Sequence, residues 1–492
     1  MNRRVVEEVT LLLAAVFAIF WAILRAAVQS LTIDESVTYL LFMNGPLKSV
    51  WIASSNNHVL NTLLMWIATE LFGSSSVVLR LPTLLSAVFY VFLCYFLCRR
   101  ITDQFYLRLP LFICLTYNPL VFDFMVAARG YGLADAFLLA AMVIPLWQGR
   151  NVPSLRASCI LASLALGLSF SASFSFAFVD LAAFVAILTW AIRRREAETI
   201  PRIAAFCALP GLFVALLLCG YPLAHWNKND SLGPGAHSLI AMFQNLAEES
   251  LYQLDPRFAA SGWYQAVDFL RPWLLPLLAI LCVVQLAATS LEGFWRKVAA
   301  AFAGVAALSV LMHWLVFRIS DLPLPLGRKQ LYLVPLLTAV VGMIAAAPSR
   351  TTVSRWLHRA IATVFICIAG YYLLCLRLTY FKEWHWDADV KDVYPVLARL
   401  NHTYGVTDVG MSWYYVAALN YYREVSKRET FPEFTAPVPE PPTGKSIYVM
   451  NGLFEREFLE KEKLVVVYRG KSTDVVIAVK PGGPVPATPI ER

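Results

Sequence analysis

The stretch VTLLLAAVFAIFWAILRAAVQS (residues 9–30), followed directly by LTIDES (31–36), decides the fold. Its first part is apolar over a length that lets a helix cross a hydrocarbon core of about 30 Å, for which roughly 20 residues are needed. The run is too long for a signal peptide and lacks a small-residue cleavage site. It therefore predicts an uncleaved transmembrane helix that ends next to two adjacent carboxylates, Asp34 and Glu35.

The composition of the whole chain is that of a membrane protein. Of its 492 residues, 59% are hydrophobic and only 15% are charged, whereas a soluble domain carries about 25% charged residues. The nine cysteines fall in apolar segments, which indicates packing rather than disulfides or a metal site. The net charge of +8 comes from short loops between apolar segments, a pattern of membrane topology that argues against nucleic acid as a partner.

The fold class that we predict is a polytopic α-helical membrane protein with about eleven transmembrane helices. Lys and Arg alternate between successive loops as eleven spans require, so the N-terminus is expected in the cytoplasm and the C-terminus outside. Counting residues 57–72 as a span would break this alternation, and we predict a juxtamembrane or re-entrant helix there. The spans lie at approximately 9–30, 77–98, 106–122, 131–148, 157–171, 173–192, 201–222, 272–289, 298–317, 330–347 and 359–378.

Three regions follow from this pattern. Residues 1–380 form the transmembrane domain, with large outer loops over 31–76 and 223–271. Residues 381–480 are less hydrophobic and are expected to form a small α/β domain outside the membrane, followed by a Pro/Gly-rich tail over 481–492 that we predict to be disordered. Within this domain we expect helices near 388–401 and 412–422, and strands over 446–450, 464–468 and 474–479.

The acidic pair Asp34-Glu35 is the first of four polar groupings on the predicted outer face. Adjacent carboxylates at a lipid boundary are costly unless they are hydrated or paired, so they are functional candidates. The alternative is structural, because Thr32 or Asp34 would cap a short helix over 35–43 with Glu35 favourable in its first turn. The position of the pair leaves both interpretations open.

Two further groupings lie at the ends of apolar stretches on the same face. In each, a structural role competes with a functional one, since polar residues can cap a helix and a neighbouring Asp and Arg can neutralise each other. Glycines beside the Arg allow a turn or close packing. The groupings are Asn56-Asn57-His58 with Asn61, and Asp123 with Arg129-Gly130-Tyr131-Gly132.

The fourth grouping is the cationic pair Arg328-Lys329. These cations lie on the predicted outer face, against the usual bias of positive charge toward the cytoplasm. Arg offers a planar fork that fits a phosphate, and Lys adds a point charge. The alternative is an interfacial anchor whose charged ends reach the water.

Carboxylates and cations together at a lipid boundary suit one kind of reaction. A phosphate leaving group needs positive charge as negative charge develops on it, and an acceptor hydroxyl or amine needs a base to take its proton. A lipid carrier would present its phosphate at this depth. The four groupings therefore favour a glycosyltransferase that uses a lipid-phosphate-linked sugar.

The chain resembles the GT-C superfamily of membrane glycosyltransferases, in particular the branch that holds the protein O-mannosyltransferases and the bacterial aminoarabinose and Rgt-like transferases. The resemblance covers roughly residues 1–380, and SWYYVAALNYYR (412–423) is similar to segments after the last span of bacterial members. The matching segments follow the family order: Asp34-Glu35, NNHVLNTLL (56–64), SVVLRLPTLLSAV (76–88), NPLVFDFMVAARGYGLA (118–134) and GRKQLYLVPLL (327–337).

The resemblance implies transfer of one sugar from a polyprenyl-phosphate donor on the non-cytoplasmic face, with inversion of the anomeric centre. Many relatives carry Glu two residues before the Arg of the second loop, where this chain has Ala127. The implied catalytic residues are Asp34 as general base, Glu35 beside it, and Asp123 as the acidic residue of the second outer loop. The implied donor-phosphate residues are His58, Arg328 and Lys329, and those that order the loop or bind substrate are Asn57, Arg129 and Tyr131.

The implied partners are a polyprenyl-phosphate sugar, membrane lipids, and a lipid, polysaccharide or protein acceptor. The implied location is the bacterial inner membrane, with the active site and the C-terminal domain in the periplasm or outside the cell. No cofactor is required, although the family leaves room for a divalent cation and we expect no dedicated metal site. The alternatives are a transporter or lipid flippase, which would place ionisable residues at mid-membrane, and a glycan ligase or a scaffold.

Overall fold

The structure is a computed structural model. It describes residues 3–147, 154–195, 198–227, 233–252, 262–288, 293–348, 351–426, 431–436 and 441–490. The α-helices are α1 (Arg3–Val28), α2 (Ile33–Thr38), α3 (Val59–Phe72), α4 (Ser76–Leu79), α5 (Leu81–Ile101), α6 (Phe105–Thr116), α7 (Pro119–Phe124), α8 (Gly130–Val143), α9 (Leu155–Ala172), α10 (Ala177–Arg194), α11 (Ile200–Ala224), α12 (Leu239–Ser250), α13 (Gly262–Ala288), α14 (Gly293–Ser320), α15 (Leu333–Ala345), α16 (Thr352–Leu374), α17 (Val390–Tyr404), α18 (Trp413–Ser426) and α19 (Arg456–Lys461).

Eight helices of the described residues are long and apolar enough to cross a membrane: α1, α5, α9, α10 with the preceding turn, α11, α13, α14 and α16. Each coincides with a predicted span. The other three predicted spans correspond to shorter apolar helices, which are α6, α8 with the turn after it, and α15. Residues 57–72, predicted to form a juxtamembrane or re-entrant helix, contain α3, the fourth short apolar helix. The chain is therefore an integral membrane protein with a polytopic helical fold, as its sequence predicts.

The predicted span over 106–122 is two helices because polar residues interrupt it. Asn118 caps α7, and its Oδ1 accepts hydrogen bonds from the amides of Leu120 and Val121. Pro119 occupies the first position of α7, where its missing N–H costs nothing. A cap and a proline together end α6 and start a new helix.

The chain divides into two compact units. Unit 1 comprises Met1–Ile23, Ala53–Asn61 and Pro82–Leu376. Within it, the backbones of α9 and α11 are in contact at Gly167 and Gly211. A Cβ at either glycine would collide with the backbone of the facing helix, so this contact requires glycine. The amide of Gly211 also donates to Ser163 Oγ at 2.9 Å. Small residues of this kind are what lets membrane helices approach closely.

Unit 2 comprises Leu24–Ile52, Thr62–Leu81 and Arg377–Arg492. Its sheet has the order β1-β2-β4-β3, with β1 parallel to β2 and the other pairs antiparallel. Helices α17 and α18 contribute Leu397 and Tyr415 to the core beneath the sheet. The strands are β1 (Val409–Met411), β2 (Ile447–Asn451), β3 (Val465–Arg469) and β4 (Val475–Val479).

The sequence predicts β2, β3 and β4 but not β1. With three residues, β1 is too short to show an alternating pattern, and its pairing with β2 defines it. In the tail over 481–492, whose composition predicts disorder, Val485 is buried and the amide of Ile490 donates to Val467 O at 2.8 Å. The disorder of the tail stays a prediction.

Candidate functional site

The turn that carries the acidic pair is built by a capping box. Thr32 is the N-cap of α2, and its Oγ1 accepts a hydrogen bond from the amide of Glu35 at 3.2 Å. In return Glu35 Oε2 accepts one from the amide of Thr32 at 2.9 Å. The structural alternative stated above therefore describes this turn, with the helix beginning at Ile33 rather than at residue 35. Asp34 lies in the first turn and is half-buried.

Glu35 forms a fully buried ion pair with Arg80. The side chains of both residues have no exposed surface. Arg80 Nε donates to Glu35 Oε1 at 2.8 Å and Nη2 donates to Oε2 at 2.7 Å, so the contact is bidentate. This geometry gives the strongest type of charge-assisted hydrogen bond.

The same guanidinium also closes the end of α1. Arg80 Nη1 donates to the carbonyls of Ala26 and Gln29 at 3.1 and 3.0 Å, and Nη2 donates to that of Ser30 at 2.7 Å. These carbonyls have no partner inside the helix. Arg80 was missed as a site residue from the sequence, where an arginine immediately before an apolar run was its only signal. Because the Glu35 carboxylate is taken up by Arg80 and the cap, Asp34 is the better candidate for proton transfer.

Unit 1 brings three predicted site residues together. The rings of His58 and Tyr131 meet edge to face with 4.7 Å between their centroids. The guanidinium carbon of Arg328 lies 5.7 Å from the centroid of the Tyr131 ring. His58 precedes α3, Tyr131 lies in the first turn of α8, and Arg328 lies in the turn before α15, so three separate elements supply the cluster. Arg129 is the N-cap residue of α8, two positions before Tyr131, and we call His58, Arg129, Tyr131 and Arg328 the cationic cluster.

His58 is held as a neutral ring. Its Nδ1 lies 3.0 Å from the carbonyl oxygen of Ala172, and because that oxygen can only accept, Nδ1 carries the proton and Nε2 a lone pair. Burial lowers the pKa of His58 well below its usual range, and the positive charges of Arg129 and Arg328 lower it further. The hydrogen bond to Ala172 opposes this shift. At neutral pH, the positive charge of the cluster is therefore on Arg129 and Arg328.

Gly130 makes this arrangement sterically feasible. A Cβ at residue 130 would collide with the carbonyl oxygen of Ala172, and it would lie 2.9 Å from the Cβ of His58. No other residue type lets the first turn of α8 pass so close to both groups. Close packing thus explains why a glycine follows the arginine in the ARGY segment.

The buried guanidinium of Arg129 is fixed by the loop that carries His58. Its Nη2 donates to Asn56 Oδ1, and Asn61 Nδ2 donates to the carbonyl of Ala128 at 3.1 Å. Asn57 is buried in the same loop, and its amide donates to Ser54 O. These polar residues hold two loops of unit 1 together around the arginine.

The remaining predicted residues have other partners. Asp123, at the end of α7, accepts a hydrogen bond on Oδ2 from the hydroxyl of Tyr252 at 2.8 Å. Lys329 Nζ donates to the carbonyl of Pro234 at 2.9 Å. In the part of the chain that the structure describes, no group of three or more His, Cys, Asp or Glu side chains is placed to hold a metal ion.

We expect the melting temperature of the wild type to fall more steeply than that of a His58→Gln variant when the pH is lowered from about 7.5 to about 5.5. The folded protein keeps His58 neutral, whereas the unfolded chain takes up a proton below about pH 6.5. The stability contributed by the neutral ring is complete above that pH and is lost as the pH falls, by about 1.4 kcal/mol per unit. Thermal unfolding in detergent checks this, and parallel pH curves for the two proteins would contradict it.

Comparison with known proteins gives matches in structure. No protein-family model matches the chain, and no curated protein sequence matches it. The structure of ArnT from Cupriavidus metallidurans bound to undecaprenyl phosphate is similar to it with a TM-score of 0.50 and 12% identity, over 97% of this chain and 98% of that one. The apo state of the same protein gives a TM-score of 0.49 and 11% identity, over 96% and 97%.

A more distant match is the oligosaccharyltransferase of Archaeoglobus fulgidus in complex with Zn and sulfate. Its TM-score is 0.36 and its identity 13%, over 84% of this chain and 61% of that chain. The similarity to ArnT, by contrast, extends over nearly the whole of both chains. The chain therefore shares the fold of ArnT along nearly its whole length.

Proposed function

We propose that this chain is a glycosyltransferase that moves a single sugar from a polyprenyl-phosphate donor to an acceptor, with inversion of the anomeric centre. The observation that carries the proposal is the cationic cluster, in which Arg328 lies over the Tyr131 ring and the buried Arg129 is the N-cap residue of the same helix, α8. Two guanidiniums in a buried setting suit a phosphate. ArnT, whose fold the chain shares, was crystallised with undecaprenyl phosphate, a ligand of this kind.

Arg328 is the residue that we assign to the donor phosphate. It is half-buried, and its guanidinium lies over the ring of Tyr131. The ring attracts the cation electrostatically, and a guanidinium binds a phosphate through the N–H groups in its plane. Lys329, next in the chain, adds a second positive charge. As the sugar leaves, these charges would stabilise the negative charge that develops on the phosphate.

Asp34 is assigned as the general base that takes the proton of the acceptor, and Asp123 as the acidic residue of the second loop. Both assignments rest on the resemblance of their segments to the superfamily. Asn57, Arg129 and Tyr131 order the loops that carry the cluster. His58, being neutral, serves as a hydrogen-bond acceptor through Nε2 and not as a source of charge.

We assign the enzyme to the bacterial inner membrane, with the site on the periplasmic face. Membrane lipids would surround its apolar helices, and the acceptor would be a lipid, a polysaccharide or a protein. The reaction needs no metal for the roles assigned above. A divalent cation bound with the donor phosphate is compatible with them, because the phosphate would itself provide oxygen ligands.

The test of the donor assignment is the binding of undecaprenyl phosphate to the detergent-purified protein. We expect Arg328→Ala to weaken binding by about 10- to 100-fold, because a hydrogen bond to a charged group contributes about 1.5–3 kcal/mol. Arg318→Ala is the matched control, since Arg318 is an exposed arginine of unit 1 at the end of α14. Its loss removes the same charge and is expected to change binding less than about twofold.

Two results would contradict the proposal, each in a different way. If the wild type does not bind undecaprenyl phosphate, the donor class is wrong. If the wild type binds it and Arg328→Ala binds equally well, the donor class stands and the role of Arg328 is wrong. Isothermal titration or a change in tryptophan fluorescence measures the dissociation constant for all three proteins.

One observation favours the transporter alternative. Asp135 in α8 and Asp180 in α10 are buried inside apolar helices, and neither oxygen of Asp135 has a hydrogen-bond partner among the described residues. Ionisable residues within membrane helices often mark a transport path. Lipid or sugar flux into vesicles that stops in Asp135→Asn, without any sugar transfer, would favour this function over the enzyme.

A further inference from the structure

Residues in the C-terminal part of unit 2 form hydrogen bonds with the turn that carries Asp34. Ser30 Oγ donates to the carbonyl of Ala388 at 2.7 Å, and the amide of Leu31 donates to the hydroxyl of Tyr422 at 3.1 Å. The amide of Ile33, the residue immediately before Asp34, donates to Asp387 Oδ2 at 2.7 Å. Contacts on both sides of Thr32 therefore fix the backbone that leads into Asp34.

Asp387 is an unusual partner for such a contact. Only 1% of its surface is exposed, and a buried carboxyl is costly unless it is paired. Its Oδ2 has the amide of Ile33, but its Oδ1 has no hydrogen-bond partner among the described residues. A helix N-terminus at the surface would obtain the same hydrogen bond from water. Capping alone therefore does not explain why a buried carboxyl occupies this position.

The chemical environment of Asp387 links it to the acidic pair. Burial raises the pKa of the Asp387 carboxyl well above its usual range, and the charges of Asp34 and Glu35 raise it further. The hydrogen bond from Ile33 opposes these effects. Asp34 follows Ile33 directly in the chain, so the hydrogen bond from the amide of Ile33 to Asp387 fixes the backbone from which the Asp34 side chain extends.

We infer that Asp387 is a positioning residue for Asp34, which it orients by holding the amide of Ile33. The inference rests on the proposed function, because it takes Asp34 as the base. It also assigns a role to the C-terminal region that the sequence does not reveal, namely to complete the turn that bears the reacting group. The neutral acid is the form that this environment favours, so an asparagine, whose side chain has a carbonyl oxygen and an NH2 group, can replace it.

The test compares Asp387→Asn with Asp387→Ala. We expect Asp387→Ala to lower kcat by about tenfold or more with a change in the KM of the donor below about threefold, because a misplaced base slows the chemical step without weakening binding. Asp387→Asn keeps the acceptor for Ile33 and should retain kcat within about threefold. A lower kcat at nearly constant KM in Asp387→Ala, together with a nearly normal kcat in Asp387→Asn, would not result from a general loss of stability.

Asp389→Ala is the matched control. Asp389 is a buried aspartate two residues away, and its Oδ2 accepts hydrogen bonds from the amides of Ser472 and Thr473. Its loss removes at least as many hydrogen bonds but leaves the amide of Ile33 with its partner. We expect a lower melting temperature and a kcat per folded molecule within about twofold of the wild type. A kcat as low as that of Asp387→Ala would show that any loss in this region impairs turnover, and would overturn the inference.

Hydrogen–deuterium exchange keeps the inference separate from the proposed function. The amides of residues 29–35 are expected to exchange on the order of tenfold faster in Asp387→Ala, and at the wild-type rate in Asp387→Asn and Asp389→Ala. Unchanged exchange in Asp387→Ala would overturn the inference even if the enzyme is active. If Asp387→Ala exchanges faster but the folded wild type transfers no sugar, the result would instead count against the proposed function.

Discussion

Arg80→Ala is expected to lower the free energy of unfolding of unit 2 by about 3–5 kcal/mol, the range for breaking a buried ion pair. The substitution leaves the fully buried Glu35 carboxylate without its cation. It also removes three hydrogen bonds from the carbonyls at the end of α1. Thermal unfolding in detergent, together with limited proteolysis of the folded protein, measures the loss.

The matched control is Arg456→Ala in the same unit. Arg456 pairs with Glu460 at 2.8 Å, but 75% and 65% of the two side chains are exposed. An exposed pair of this type contributes between about 0 and 1 kcal/mol. If the two variants lost equal stability, the interpretation of Arg80 as a buried structural cation would be wrong.

A double substitution separates the contribution of the ion pair to stability from that of the carbonyl contacts. Removing both charges with Arg80→Met and Glu35→Leu avoids the uncompensated buried carboxylate, so we expect it to recover part of the stability that Arg80→Ala loses. The recovery should be incomplete, because the carbonyls of Ala26, Gln29 and Ser30 still lack their donor. No recovery at all would show that the carbonyl contacts, rather than the pairing with Glu35, dominate.

Asp34→Asn is expected to reduce sugar transfer by about 10²- to 10⁴-fold, the range that a general base contributes. The amide has nearly the shape of the carboxylate but cannot take a proton, so the fold should be retained. The measurement uses purified protein, a panel of radiolabelled polyprenyl-phosphate sugars, and a crude extract of membrane lipids and glycans. Label transfer that disappears in the variant would identify both the base and the donor.

Asp392→Asn is the control for this experiment. Asp392 is half exposed and forms a long surface pair with Lys471 at 3.4 Å, so its amide variant should transfer sugar at the wild-type rate. Full turnover by Asp34→Asn would remove the base assignment and, with it, the proton-transfer step of the proposed mechanism. Binding of undecaprenyl phosphate by Asp34→Asn should remain as in the wild type, since the residue is not assigned to the phosphate.

The transmembrane helices could be predicted closely because lipid imposes a local rule. A segment that crosses the membrane must be continuously apolar and hydrogen-bonded within itself, and both properties are visible in a short stretch of sequence. The strands β2, β3 and β4 were predictable for a similar reason, since each is a continuous run of β-branched or apolar residues. By contrast, β1 is defined only by its partner β2.

The candidate site could be predicted in part. The motifs point to His58, Tyr131 and Arg328, and the structure brings these residues together although 73 and 197 positions separate consecutive members. They do not indicate that His58 is neutral, because that depends on the carbonyl of Ala172, which lies 114 positions away. The charge state of a residue is decided by its neighbours in space, and the sequence does not give those.

The sequence by itself determined that this protein is embedded in a membrane and which segments form its helices. It also determined that acids and cations lie at the ends of those helices. These properties depend on composition and on spacing along the chain. Only the tertiary structure decided that Glu35 pairs with Arg80, 45 positions away, and that Asp387, 354 positions away, holds the amide of Ile33. Such contacts form between segments that are distant in the chain, because the free energy of burying a charge depends on which partner the fold brings to it.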